Sequence, residues 1–350
     1  MGVPLHLCIR FLKNEAGTRV LFASALITYF YSMNVIFMGT PEFAVASLDA
    51  LVKAGYHIVA VITAPDKPAG RGMKLTESAV KKYAVEKGLY VMQPEKLKNP
   101  LFIEELKALK ASIQIVVAFR MLPEMVWNMP PMGTVNLHGS LLPQYRGAAP
   151  INWAVINGEK ETGVTTFKLQ HEIDTGNILL QESFAIGDDE IAGDVHDRMK
   201  EIGAALLVKT IDGLVAGTLK EQPQSSIVSR EMPDADPGFT NDSLRLKHAP
   251  KIFTETCKID WNKPVDEVYN LIRGLSPFPA AFTFLKDKML KIYTSKKEAA
   301  APSVSAGVFL TDNKTYLKFA AADGYIHVKE IQSEGKKKML VDEFLRGYRF

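Results

Sequence analysis

Two polar residues two positions apart open the question of chemistry in this chain: Asn136 and His138, in the stretch VNLHGSLLPQYRGAAP. The run TVNLHGS has the apolar residues of a strand, and residues two apart on a strand face the same side. The pair can therefore converge on one reacting group. An amide donates a hydrogen bond without changing charge, which suits a developing oxyanion. An imidazole donates or carries a proton near neutral pH. Gly139 permits a close approach, and Pro143 stiffens the following turn. A third group has to orient the imidazole, and the candidate is Asp174, in QHEIDTGNILL between two apolar runs. A carboxylate beside an imidazole fixes its orientation and favours its charged form. Taken singly, each residue also has a plainer reading: a turn-forming Asn, a satisfied half-buried His, a turn Asp. His171, near Asp174 in sequence, is a competing candidate; His57 and His196 read as ordinary surface or core residues.

The elements that would position these groups follow from periodicity. From Met33 onward, short apolar runs (NVIFMG, HIVAVIT, YVMQP, SIQIVVAF, TVNLHGS) alternate with stretches of helical spacing. Near-continuously apolar strands alternating with helices predict a parallel sheet covered on both faces, hence a doubly wound, Rossmann-like α/β domain. In such sheets ligands sit beyond the carboxyl ends of the strands, where Asn136 and His138 lie. TGVTTFKL and GNILLQESFAI read as later, antiparallel strands, and residues 194–215 as a long amphipathic helix. A polar stretch rich in Pro, Ser and Asp then predicts a linker over residues 218–243, and its part at 230–245 reads as an insertion against the family resemblance described below. Beyond it, a helix and several closely spaced short strands predict a small β-barrel over 244–350, basic in places. The catalytic domain is thus expected over 33–217. Residues 1–32 read as an upstream extension, with a targeting segment as the alternative.

The bulk numbers permit this and exclude little else. The chain has 350 residues, 47% hydrophobic and 23% charged, with a formal charge of only +3. That supports two cored domains and gives no whole-protein electrostatic argument for nucleic acid. Two cysteines, Cys8 and Cys257, cannot build a disulfide framework, and no Cys/His cluster has zinc spacing, which fits a reducing cytoplasm. The apolar run before Ser32 is shorter than a membrane span requires.

The run NLHGSLLPQYRGAAP with the later DTGNIL resembles the folate-dependent formyltransferase family, whose pattern is Asn-x-His, then Ser-Leu-Leu-Pro, then a distant Asp. FMGTPEFAVASLDAL, APDKPAGRGMKLTESAVK, ETGVTTFKL, KIDWNKPVDEV, RGLSPFPAAF and GKKKMLVDEFLRG are similar to the methionyl-tRNA formyltransferase branch. The similarity covers nearly everything from Met33 onward, including a C-terminal barrel of the oligonucleotide-binding (OB-like) kind. The resemblance implies transfer of the formyl group of 10-formyltetrahydrofolate to the α-amine of initiator methionyl-tRNA, by a monomeric cytoplasmic enzyme. It implies that Asn136, protonated His138 and Asp174 serve the tetrahedral intermediate and its proton transfer. It also implies that Ser140, Leu141, Leu142 and Pro143 wall the folate, their backbone groups facing the pterin. Phe119 and Arg120 would line the same pocket, although Arg120 stands where the family usually has a small residue; it reaches an acidic folate tail or turns outward. The glycine-hinged basic loop PAGRGMKL would meet the tRNA acceptor end through Arg71, with Lys67 and Lys74 beside it; the plainer reading is a solvated loop. Arg146 reads as structural or substrate-facing. The competing functions are a formyltransferase for a small amino sugar or nucleotide, a dinucleotide oxidoreductase (disfavoured because MGTP lacks the G-x-G-x-x-G spacing), and a non-catalytic RNA-binding barrel.

Overall fold

A computed structural model describes residues 33–69, 74–231 and 246–348. The expected extension at 1–32, Arg71 and most of the expected insertion at 230–245 lie outside the described residues. The chain divides into two compact units, one of residues up to 135 with 208–220, the other of residues 136–207 with 221–350.

In the first unit, β1 (Asn34–Gly39), α1 (Glu42–Lys53), β2 (His57–Ile62), the short β3 (Lys67–Ala69) and β4 (Lys74–Thr76), α2 (Ala79–Glu86), β5 (Val91–Met92), α3 (Pro100–Ala108), β6 (Ile113–Val117) and α4 (Glu124–Trp127) follow one another. The strands order as β6-β1-β2-β5, and every pairing among them is parallel. Successive residues of β1 and β6 are buried regardless of parity, so both faces are covered, as the unbroken apolar runs require. The helices begin where the sequence supplies caps: the Ser78 hydroxyl accepts the Lys81 N–H, and Asn99 accepts the Leu101 N–H ahead of Pro100. The Rossmann-like reading is met here. The basic stretch read as a loop is flanked by structure: β3 and β4 pair antiparallel, Lys67 opposite Thr76 and Ala69 opposite Lys74.

Strand β7 (Thr134–His138) leads from the first unit into the second. The second unit continues with β8 (Arg146–Gly147), α5 (Pro150–Ile156), β9 (Glu161–Lys168), β10 (Ile178–Ala185), α6 (Ala192–Val215, whose last turns belong to the first unit), α7 (Gln224–Glu231) and β11 (His248–Ala249). Its strands order β10-β9-β7, β9 and β10 antiparallel as expected. Helix α6 comes so close to β7 that a Cβ on Gly203 would stand 2.9 Å from Leu137 Cδ2. Leu137, between the polar pair, thus packs towards the helix, and Asn136 and His138 alternate to the other side.

The expected linker at 218–243 needs correction: Gln222 pairs with Ile178 through both backbone groups, at 2.8 and 2.9 Å, and Gln224–Glu231 is a helix. Its polar sequence hides this because one residue, Ile227, supplies the apolar anchor, packing on the Leu142, Phe167 and Ile178 cluster. Farther on, α8 (Val265–Leu275) buries Val268, Ile272 and Leu275 along one stripe. It packs on a curled, OB-like antiparallel sheet, β12 (Ala281–Leu285), β13 (Lys288–Ala299), β14 (Phe309–Thr311), β15 (Leu317–Ala320), β16 (Gly324–Ser333) and β17 (Met339–Leu340), ordered β12-β13-β16-β15-β14 with β17 beside β16. Helix α9 (Val341–Gly347) closes the unit. Strand β12 was not read from the sequence, where it hides behind the turn-rich SPFP. Among the described residues no helix is long and apolar enough to cross a membrane.

The tight α6–β7 contact sets a test. Gly203→Val should improve intrinsic helix preference yet lower stability by about 1–3 kcal/mol through overpacking. The urea midpoint reads this out, and an unchanged midpoint would contradict the close packing.

Candidate active site

The site grows from the end of β7. Asn136 is half-buried, and among the described residues its amide has no hydrogen-bond partner. A half-buried donor without an acceptor suits an oxygen brought by a ligand. His138 is buried. Its Nε2 lies 2.9 Å from the main-chain carbonyl of Tyr145, and since a carbonyl only accepts, Nε2 carries the proton. Nδ1 then faces Asp174 Oδ2 at 3.9 Å. That is ion-pair range and too long for a hydrogen bond. The sequence reading gave Asp174 the task of orienting the imidazole; in the structure the Tyr145 carbonyl does so, with the Phe167 ring nearly perpendicular to it at 6.5 Å between centroids.

Asp174 is itself held from elsewhere. Its Oδ2 accepts the Gly147 N–H at 3.0 Å. Its φ is +56°, a left-handed conformation that costs a non-glycine residue about 1–3 kcal/mol. Gly176 follows because a Cβ there would collide with the Lys168 carbonyl oxygen, which explains the glycine of DTGNIL. Gly147, at φ +126°, lies against the Ala249 carbonyl, since β8 pairs in parallel with β11.

The SLLP turn is a satisfied scaffold. The Ser140 hydroxyl donates to Gln144 O at 2.7 Å. Thr165 Oγ1 donates to Ser140 O and accepts the Leu142 N–H, and Gln181 Nε2 donates to Leu142 O at 2.9 Å. Leu142 joins the buried Phe167 cluster, and Leu141 presses on Gly163. The Ser140 and Leu142 main-chain groups expected to face a pterin thus already have partners within the protein, and of the four residues only Leu141 is partly exposed. Tyr145 completes the turn at φ +60°. Its buried phenol bonds Glu159 and accepts from Asn157, and burial, then Glu159, hold it well above its ordinary titration range.

The other candidates fall in different places. In the first unit, the Arg120 guanidinium bonds the carbonyls of Pro94 and Glu95 and lies over the Phe119 ring. Lys67 is exposed on β3 and Lys74 begins β4. In the second unit, Arg146 gives Nε and a terminal NH2 to Gln224 Oε1, at 3.0 and 2.6 Å. His171 is exposed, His57 bonds Asn34 and His196 bonds Asp197, so none of the three joins Asn136. Sequence reasoning missed Tyr145, Gly147 and Gln224. The carbonyl and the N–H act through the main chain, which residue type does not mark.

Comparison with known proteins places this arrangement. The family model described as "Formyl transferase" matches residues 33–211, and that described as "Formyl transferase, C-terminal domain" matches residues 251–349. The chain belongs to the formyl transferase family. It is 52% identical over 323 residues to the methionyl-tRNA formyltransferase of Parabacteroides distasonis, covering 91% of this chain and 96% of that one. It is 50% identical to the protein of the same name from Bacteroides fragilis, over 90% and 95% of the two chains. Among solved structures, the N-formyltransferase of Helicobacter canadensis, in complex with folinic acid and dTDP-3-aminofucose, superposes with a TM-score of 0.62 at 22% identity, over 88% of this chain and all of that one. These likenesses establish a formyl-transferring enzyme and, from the solved structure, its fold.

Gly147 joins backbone strain to the site. Gly147→Ala should cost about 2 kcal/mol or more in stability, because an L side chain meets both the positive φ and the Ala249 carbonyl. Formyl transfer should fall with it, since the Asp174 anchor moves; thermal unfolding together with initial rates checks both.

Proposed function

We propose that this enzyme moves the formyl group of 10-formyltetrahydrofolate to the α-amine of initiator methionyl-tRNA. The observation that carries the reading is an Asn136 amide that has no partner among the described residues, beside a His138 whose Nε2 is committed to Tyr145 and whose Nδ1 faces the Asp174 carboxylate. Identity of about 50% to enzymes named for this reaction, across both family segments, supports the substrate.

The folate supplies an activated formyl carbon. As the amine attacks it, the carbonyl oxygen gains negative charge, and Asn136 donates to that oxygen. The C–N bond to the carrier then breaks, and the proton lost by the amine has to reach the departing nitrogen. With Nε2–H given to Tyr145, Nδ1 bears a proton only as the imidazolium, and Asp174 is the counter-charge of that form. His138 and Asp174 together hold and pass the proton. The SLLP turn, Phe119 and Arg120 serve the folate in this reading. Lys67, Arg71 and Lys74 serve the acceptor end, where Arg suits phosphates and base edges, and the basic barrel adds salt-sensitive phosphate contacts. We assign catalysis to residues 33–217 and tRNA binding to 244–350, in a monomer acting in the cytoplasm.

Purified protein given labelled 10-formyltetrahydrofolate and charged initiator tRNA should produce formylmethionyl-tRNA. Folded protein that transfers nothing to tRNA, or prefers a small amino sugar, ends this reading. Asn136→Ala and His138→Ala should each lower kcat by roughly 10²–10³-fold, with tRNA binding kept.

A further inference from the structure

Asp174 sits in a left-handed conformation and does not touch His138 by hydrogen bond, so some other group sets where its carboxylate stands. One buried side chain reaches the loop that carries it. Gln224, 3% exposed at the start of α7, donates through Nε2 to the main-chain carbonyl of Asp174 at 2.8 Å and to that of Gly176 at 2.9 Å. Its Oε1 accepts both contacts from Arg146. Two protons and two lone pairs are the whole capacity of a carboxamide, and all are used here. Arg146 lies between Tyr145, whose carbonyl holds His138, and Gly147, whose N–H holds Asp174. A single amide therefore ties the Asp174 loop to the segment that fixes the histidine. The backbone pairing of Gln222 with Ile178 fixes its own base.

We propose that Gln224 is a positioning residue for formyl transfer, setting the Asp174 carboxylate against His138. This rests on the reading of Asn136, His138 and Asp174 given above. The chemistry requires an amide. Glutamate would keep the Arg146 contact but turn acceptors against two carbonyls. Methionine would leave two carbonyls and the guanidinium without their partner. Asparagine is one methylene too short to span both sides.

The test uses the full chain with Gln224→Glu and Gln224→Met, each alone and combined with Asp174→Ala. Gln224→Glu keeps an Arg146 partner and covers the case in which Gln224→Met fails to fold. Each single variant should lower kcat by roughly 10–100-fold, the scale of a misplacement near 1 Å. KM for tRNA and for folate should stay within about threefold. In the Asp174→Ala background the same changes should cost little more, because a group that acts through Asp174 has nothing left to position. A crystal structure of Gln224→Glu should show the His138–Asp174 separation changed from 3.9 Å, a readout independent of turnover. Full losses that multiply with Asp174→Ala, an unchanged kcat or an unchanged separation would each overturn the proposal. Full activity in Asp174→Ala would instead remove the underlying reading and this inference with it.

Discussion

The hydrogen bond between His138 Nε2 and the Tyr145 carbonyl is the constraint around which the site is arranged. It settles which ring nitrogen holds a proton, and so which one faces Asp174. It also demands that Tyr145 stay at φ +60°, a backbone state that an isolated chain rarely visits. The surroundings over-determine that state: the Tyr145 N–H donates to Lys247 O at 2.6 Å, the phenol bonds Glu159, and Lys247 pairs with the same Glu159. Strain in the turn after β7 is thus stabilised in part by Lys247, just over a hundred positions later in the chain.

The same logic explains why the SLLP turn looks inward. Buried polar groups are costly unless paired, and Thr165 and Gln181 supply partners from β9 and β10. The turn is a rigid platform beside Asn136, whose amide is left without a partner among the described residues. Asn136 can remain unpaired because it is half-buried and keeps some access to water.

Much of this was legible in the sequence. β1, β2 and β6 announced a parallel sheet because burial on both faces permits unbroken apolar runs. Asn136 and His138 announced themselves because strand geometry has a period of two. Asp174 stood out through the company of Gly176, a glycine with a steric reason. The illegible parts share a different physics. Tyr145 and Gly147 act through main-chain atoms common to all residues. Gln224 lies in a polar stretch whose helix is stabilised by tertiary contacts at Gln222 and Ile227, so local propensity says linker. Asp174 was given an orienting duty from residue type alone, and only coordinates show a gap of 3.9 Å.

The short parallel pairing of β8 with β11 has a consequence for how such a chain can be divided. The two family segments end at 211 and begin at 251, which invites a picture of two exchangeable cassettes. Yet Gln224, Lys247 and Ala249, which hold the Asp174 loop and the Tyr145–Gly147 turn, come from between them. A gene cut after residue 217 would encode Asn136, His138 and Asp174 with Tyr145 and Gly147, but without Gln224, Lys247 and Ala249, which hold the loops that carry them. Modularity of sequence is not modularity of structure here: shuffling the C-terminal cassette onto another partner would require its junction to travel with it.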